Sequence, residues 1–271
     1  MRPDVLDLQA FYGSRQGQLV RRLVGRQIRA LWPEVCGSRI LGLGYATPFL
    51  GPLAETAERV CVAMLPGQGL VRWPLERANV TLLASEDELP LGDRSIDRVL
   101  MVHALESADQ GRRMLREVWR VLADGGQALI VVPNRRGLWC LSESTPFGHG
   151  QPFSPSQLKG VLRNTLFVPR ESATALFVPP LRSRLVLRTA LAWERVGLRW
   201  GSHFAGVLLM VAEKQIYAAP FEPARAARRV PAYLSMPRAL AAAERVQKRT
   251  RSRPATPAGS TGTAPARSAG C

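Results

Sequence analysis

Residues 82–133 contain two apolar runs separated by a helical pattern, and this arrangement constrains the fold more than any other segment. The run at residues 96–102 and the run at residues 128–132 are both expected of strands that are buried on both faces of a sheet. Between them, apolar residues recur at helical spacing: Met114, Leu115, Val118, Val121 and Leu122. Gly125-Gly126 follows, where a helix C-terminus favours residues that adopt positive φ. A strand, a helix and a strand in this order predict a βαβ unit and a parallel α/β sheet.

The rest of the chain supplies the other elements of such a sheet. An amphipathic pattern predicts a helix over residues 11–32, which Pro33 ends. Further patterns predict strands at residues 39–43, 59–65 and 81–84, a helix at 49–57, and a closing pair of strands at 173–178 and 206–217 around an Arg-rich helix at 181–196. Ser154 predicts the N-cap of another helix. Glu117 and Arg120 predict an ion pair on a helix surface.

Two motifs in this segment fall at a spacing that is specific to one enzyme family. Residues 89–97 read LPLGDRSID, and residues 115–126 read LREVWRVLADGG. They resemble the LPxxDxSxD and LxExxRVLxxGG patterns on either side of the fourth strand of class I S-adenosylmethionine-dependent methyltransferases of type 11. The resemblance implies a Rossmann-like α/β fold, with a mostly parallel seven-stranded sheet, helices on both faces and a C-terminal antiparallel hairpin. It also implies S-adenosylmethionine as the cofactor.

The resemblance assigns cofactor binding to three elements, and the first is the glycine loop after the first strand. Here Gly44 is retained, while Gly42 stands in place of the family's acid. Ala46 and Pro48 replace the other two glycines. Alanine adds a methyl group, and proline fixes φ near about −65° and removes an N–H, so both change how closely the loop approaches a ligand. Proline also suits the start of the following helix, so the loop can keep its path.

The other two elements are acids in the family and are replaced in this chain. Met64 stands where the second strand of the family ends in an acid that accepts hydrogen bonds from the ribose hydroxyls, and a thioether is a poor acceptor. Ser85 stands where an aspartate contacts the adenine amino group, and Glu86 is adjacent. Either Glu86 has taken over this contact, or adenine stacks on Trp73 and Met64.

The candidate catalytic residues are two histidines and one acid. His103 and Glu106 follow the fourth strand, at the carboxyl edge where open α/β sheets bind ligands. Because imidazole titrates near neutral pH, His103 is a candidate general base and cofactor contact; the alternative is a histidine packed at the strand end. His149 lies in a loop rich in Gly and Pro that either covers the site or plugs the sheet edge. Tyr12 is either a lid over the cofactor or a hydrophobic staple with Phe11.

Length and charge define the domain organisation. With 271 residues, of which 46% are hydrophobic, the chain can bury one sizeable core. We expect a methyltransferase-like domain over residues 1–219, in which the core spans residues 38–133 and the loop and hairpin span residues 134–219. The net charge is +16, and residues 220–271 carry ten basic and two acidic side chains. We expect these residues to form a basic tail rich in Ala, Pro and Arg, disordered at least from about residue 250.

Composition also bears on partners and localisation. The tail either contacts nucleic acid or an anionic surface, or is a solvated extension without a partner. The four cysteines lie far apart without CxxC spacing, so we predict neither a metal site nor a disulfide framework. No apolar run reaches the roughly 18 residues of a spanning helix, and the N-terminus lacks the apolar core of a signal peptide. We therefore expect a cytoplasmic protein.

Three functions are consistent with these features. The first is an S-adenosylmethionine-dependent methyltransferase that acts on an unknown acceptor, such as a small molecule, and His103 and His149 favour it. The second is a catalytically inactive protein of the methyltransferase fold with a binding or regulatory role, which Met64 and Ser85 favour. The third, a protein associated with nucleic acid, depends on the basic tail alone.

Overall fold

Strands and helices alternate along most of the chain. The structure is a computed structural model that describes residues 3–181, 189–200 and 204–216. The helices are α1 (Val5–Gly13), α2 (Arg15–Leu31), α3 (Thr47–Ala54), α4 (Gly111–Val121), α5 (Pro155–Asn164) and α6 (Ala190–Trp200). The strands are β1 (Arg39–Gly44), β2 (Arg59–Met64), β3 (Thr81–Leu83), β4 (Ile96–Val102), β5 (Leu122–Pro133), β6 (Phe167–Ala175) and β7 (Val207–Lys214). Short 3-10 helices cover Leu105–Ser107, Leu138–Leu141 and Pro146–Gly148.

The seven strands form one sheet in the order β3-β2-β1-β4-β5-β7-β6. Strands β1 to β5 pair in parallel, whereas β7 is antiparallel to both β5 and β6. The predicted mostly parallel sheet with a C-terminal antiparallel pair is therefore confirmed. The strand order changes direction between β1 and β4, and such a switch point is where open α/β sheets bind ligands.

Helices cover both faces of the sheet, as predicted, because successive strand residues point to opposite sides. Ile40 of β1 and Leu100 of β4 enter a core with side chains of α1, α2 and α3. Leu41 and Met101, their neighbours in sequence, enter a second core with α4 and α5. This explains why the central strands appear in the sequence as nearly continuous apolar runs.

The helix predicted over residues 11–32 is two helices, because the backbone is extended at Ser14 (φ −71°, ψ 160°). The Ser14 N–H donates to the carbonyl of Ala10 at the end of α1. The Ser14 hydroxyl then accepts a hydrogen bond from the N–H of Gly17 (3.1 Å) and caps α2. The break makes α1 a separate element, and the Val5 N–H at its start donates to the carbonyl of Gln68 (2.7 Å).

Gly125 and Gly126 do not end a helix, contrary to the prediction. Helix α4 stops at Val121, and Leu122 already pairs with Ile96 as the first residue of β5. Gly125 adopts φ +74°, and a Cβ on Gly126 would lie 2.9 Å from a backbone oxygen. The two glycines therefore allow an irregularity inside β5, where the pairing with β4 shifts register.

The C-terminal elements differ in their bounds from the predicted ones. Strand β6 begins at Phe167 and ends at Ala175, and the helix that follows is described from Ala190. The first part of the predicted Arg-rich helix, residues 182–188, lies outside the described residues, as does the predicted tail from residue 220. The predicted domain boundary at residue 219 stays a prediction. Within the described ranges, no helix has the length and hydropathy to cross a membrane.

Glu117 and Arg120 do more than form the predicted surface pair, because they fasten the loop before β4 to α4. The Arg120 guanidinium donates to the carbonyls of Leu89 and Leu91 (both 2.9 Å) and to the carboxylate of Asp93 (2.6 Å). Glu117 accepts from the N–H of Leu89 (3.0 Å). The hydrogen bond from Arg120 lowers the pKa of Glu117. The two motifs are thus joined by one network of side-chain and backbone contacts.

We expect Gly44→Ala to destabilise the protein by about 1–3 kcal/mol, because alanine at positive φ is strained. Gly44 adopts φ +73°, and its Cβ would lie 2.5 Å from the carbonyl oxygen of Val102. Urea denaturation monitored by circular dichroism measures the change.

The matched control is Gly160→Ala in α5, where a Cβ meets no atom within 4 Å. This substitution should stabilise the protein by about 0.5–1 kcal/mol, because alanine favours a helix interior. If both variants changed the free energy of unfolding equally, this result would contradict the close approach of Gly44 to the carbonyl of Val102.

Candidate active site

The candidate site begins where β1 and β4 approach each other at their carboxyl ends. The Tyr45 N–H, directly after β1, donates to the carbonyl of Val102 (2.9 Å). Gly44 has no room for a side chain against this carbonyl, and a Cβ on Gly42 would lie 2.7 Å from Leu50 Cδ1. Packing within the protein therefore requires glycine at position 44, whatever the loop binds, whereas a Cβ at position 42 would displace the side chain of Leu50.

The two altered glycine positions lie at the start of α3. Ala46 is fully buried directly before the helix, and Pro48 lies in its first turn, where a missing N–H costs little. A cavity of about 260 Å³ borders this loop, and Tyr12, Tyr45 and Pro48 are among its lining residues. Pockets that enclose drug-sized ligands usually measure about 300–1,000 Å³, so this cavity is small.

A chain of buried polar contacts runs from α1 to the end of β4. The Tyr12 hydroxyl lies 2.9 Å from His103 Nε2, and His103 Nδ1 lies 3.2 Å from Glu106 Oε1. All three side chains are less than 10% exposed. A neutral imidazole with its proton on Nδ1 satisfies both contacts, because Tyr12 then donates to Nε2 and the proton on Nδ1 faces the carboxylate. The structure thus brings the predicted His103 and Glu106 together and adds Tyr12.

The electrostatics of this chain follow from its burial. Burial, with smaller contributions from the Glu106 carboxylate and Tyr45, raises the pKa of Tyr12 well above its ordinary value. The phenol is therefore protonated and a hydrogen-bond donor at neutral pH. Neither oxygen of Glu106 has a hydrogen-bond donor among the described residues, apart from its ion-pair contact with His103.

Gln68 is a site residue that the sequence interpretation missed. Its side-chain amide nitrogen donates to the carbonyl of His103, while its Oε1 is buried without a hydrogen-bond partner among the residues described. Met64, the predicted ribose contact, is instead buried with its sulfur accepting from the N–H of Val71 (3.3 Å). The signal in the sequence was the position of Gln68, in the Pro-Gly-Gln-Gly turn that follows β2.

Ser85 contacts its own loop, whereas Glu86 contacts the residues directly before α4. The Ser85 hydroxyl donates to the carboxylate of Asp87 (2.6 Å). The Glu86 carboxylate accepts from the N–H groups of Asp109 (3.2 Å) and Gln110 (3.4 Å), immediately before α4. Glu86 therefore binds backbone N–H groups at the start of a helix, an arrangement that stabilises both partners. The predicted adenine contacts of these two residues stay predictions.

His149 lines a different space from His103. It borders a cavity of about 690 Å³ between the first two helices and residues 143–149, to which Phe11 also contributes. Phe147 lies between the two regions, with ring centroids 4.9 Å from His103 and 6.2 Å from Phe11. The segment is held near Glu106, whose carbonyl accepts from the N–H of Gln151 (2.8 Å). The structure therefore places His149 apart from the other predicted catalytic residues.

Comparisons with known proteins find similarity to methyltransferases. A family model described as a methyltransferase domain matches residues 41–130. An S-adenosylmethionine-dependent methyltransferase of Thermotoga maritima is similar in structure, with a TM-score of 0.59 and 18% identity over 78% of this chain and 96% of that one. Another, from Archaeoglobus fulgidus, has a TM-score of 0.52 and 19% identity over 76% of this chain and 97% of that one. No curated protein matches the sequence significantly.

We expect Tyr12→Phe to destabilise the protein by about 1–3 kcal/mol, because it leaves the buried Nε2 of His103 without a donor. Chemical denaturation of Tyr12→Phe, His103→Gly and the double variant measures the coupling between the two side chains. Glycine is chosen because His103 adopts φ +52°. A coupling near zero would show that the contact does not contribute to stability.

Proposed function

We propose that the chain is a class I S-adenosylmethionine-dependent methyltransferase, and that it transfers a methyl group to a small-molecule acceptor at the carboxyl edge of β1 and β4. S-adenosylmethionine is the cofactor that the match to a methyltransferase domain indicates. The observation that carries the proposal is the buried chain Tyr12, His103 and Glu106, which holds a histidine base at the switch point of the sheet.

The polar groups around His103 fit the cofactor's charges and hydrogen-bond donors. Gln68 Oε1 and Glu106 Oε2 are buried acceptors without hydrogen-bond donors among the described residues, and Glu106 Oε1 contacts only His103 Nδ1 there. The cofactor's ammonium and ribose hydroxyls are donors, and its sulfonium is a cation, so each would relieve an unpaired buried acceptor or a buried carboxylate. We assign the acceptor role of the family's missing acid to Gln68, since Met64 already accepts from Val71.

Tyr12 is the residue that must move for the cofactor to bind. Its ring packs against Tyr45 (centroids 5.7 Å apart) and Phe49 (5.7 Å), next to the small cavity at the glycine loop. Displacement of this ring enlarges the cavity at Tyr45. It also frees His103 Nε2, which is the nitrogen that can accept a proton. Cofactor entry and exposure of the base are thereby coupled.

The residues of this chain then act on the acceptor. When bound, the cofactor supplies an electrophilic methyl carbon with a good leaving group. His103 Nε2 takes the proton that the acceptor loses as its lone pair bonds to that carbon. Glu106, 3.2 Å from Nδ1, stabilises the imidazolium that forms. The buried surroundings hold the two side chains in this orientation, which is the main contribution a protein makes to such a displacement.

Isothermal titration of the full chain with S-adenosylmethionine and S-adenosylhomocysteine tests the cofactor site. We expect both to bind, and Gln68→Leu to weaken binding by about tenfold, because about 1.4 kcal/mol is lost with a hydrogen bond of this kind. Gln18→Leu is the matched control, since Gln18 is exposed on α2. A wild-type protein that binds neither compound at millimolar concentration would refute the proposal.

Transfer itself is tested with methyl-labelled cofactor and a metabolite extract. His103→Asn should retain cofactor binding and lose transfer, because asparagine tolerates positive φ but does not titrate near neutral pH. Binding without transfer by the wild type would favour the inactive, ligand-binding alternative. Transfer by His103→Asn at the wild-type rate would show that another group is the base.

A further inference from the structure

The cavity of about 690 Å³ beside the site lies within the size range of pockets for small molecules. Its walls come from α1, from the first turn of α2 and from residues 143–149. Phe11 belongs to the lining, and its ring lies 5.2 Å from that of Tyr12. The cavity is thus one aromatic layer away from His103. A molecule bound in it would contact the same helix that must move when the base is exposed.

The cavity walls carry more negative than positive charge, whereas the chain as a whole is strongly positive. The chain has a net charge of +16, yet Asp7 and Glu143 line this cavity against a single arginine, Arg15. Both acids are exposed, and neither forms an ion pair with any described residue. Two unpaired carboxylates on one cavity favour a cationic ligand such as an ammonium.

Gln16 gives a second, independent indication of a ligand. It lines the cavity, its side chain is 5% exposed, and its Nε2 is buried without a hydrogen-bond partner among the described residues. A buried amide donor without an acceptor costs free energy, which an oxygen of a ligand would recover. The ligand therefore carries an acceptor oxygen as well as a positive charge.

We propose that this cavity binds the methyl acceptor, and that the acceptor is a small amine that also carries a carboxylate or hydroxyl oxygen. Asp7 and Glu143 pair with the ammonium group, and the Gln16 amide donates to the oxygen. Phe11 and Pro146 provide an apolar wall for the rest of the molecule. The acceptor role rests on the proposed function, whereas the preference for a zwitterionic amine rests on these residues alone.

Three probes of similar size distinguish the charges: L-phenylalanine, 2-phenylethylamine and 3-phenylpropionate. Calorimetric titration of the full chain should show binding in the order L-phenylalanine, then 2-phenylethylamine, then 3-phenylpropionate. Glu143→Gln should weaken binding of the two amines at least about threefold, which is the effect of a partly exposed ion pair. Glu171→Gln, which removes an exposed acid on β6, should leave binding unchanged.

Gln16→Glu removes the amide hydrogen-bond donor of Gln16 and leaves the side-chain volume almost unchanged. This variant should weaken the binding of L-phenylalanine more than that of 2-phenylethylamine, because it places a carboxylate against the carboxylate of L-phenylalanine. Circular dichroism and the melting temperature establish that each variant is folded. If Gln16→Glu does not fold, Gln16→Leu replaces it and should reduce the preference for L-phenylalanine over 2-phenylethylamine at least about threefold.

Parallel titration with S-adenosylmethionine separates failure of this inference from failure of the proposed function. Cofactor binding without binding of any probe, or with equal binding of 3-phenylpropionate, would overturn the amine site and leave the methyltransferase proposal intact. Probe binding in the expected order without cofactor binding would refute the methyltransferase proposal and the acceptor role, while the amine preference would stand. An unchanged affinity in Glu143→Gln and both Gln16 variants would also overturn the inference.

Discussion

The close approach of β1 and β4 at their carboxyl ends is the constraint on which the candidate site depends. A glycine at position 44 and the hydrogen bond from Tyr45 to Val102 leave no space between the two strands. The chain must therefore turn sharply after each strand, and His103 takes positive φ (+52°), which is uncommon for a residue with a side chain. The same turn directs His103 towards Tyr12 on α1 and buries both. Packing of backbone against backbone thus determines where the base lies.

Most of the fold could be predicted from the sequence, because strands buried on both faces require continuous apolar runs. The order of the elements around residues 82–133 specified a parallel sheet, and the Ser154 cap appears as a complete capping box with Gln157. The predicted element boundaries were wrong where the same residues are compatible with two local structures. Ser14, preceded by Gly13, ends one helix and begins another inside a continuous amphipathic pattern, and Gly125-Gly126 permits an irregular strand as readily as a helix end.

The candidate site was less predictable, since its contacts join residues distant in sequence. His103 and Glu106 could be placed at the sheet edge by counting from β4, but the partner of His103 is 91 residues away on α1. Gln68 contacts the backbone carbonyl of His103, 35 residues away, and its position in the turn after β2 does not specify that contact. Glu86 was predicted as a ligand contact because of its neighbours in the family motif, and the structure uses it to bind the N-terminus of α4. Side-chain chemistry alone could not decide between these roles.

The energetic cost of opening the site bears on whether the chain is an enzyme or a binding protein. In the proposed mechanism cofactor binding displaces Tyr12 from His103, and the net free energy of that hydrogen bond is about 0.5–1.5 kcal/mol. This lowers the apparent affinity by about two- to 13-fold relative to an open site, because the competent state is that much less populated. The penalty is small beside the free energy of a micromolar complex, about 8 kcal/mol. A buried His103 is therefore compatible with cofactor binding, and under the proposed mechanism His103 stays buried until the cofactor displaces Tyr12.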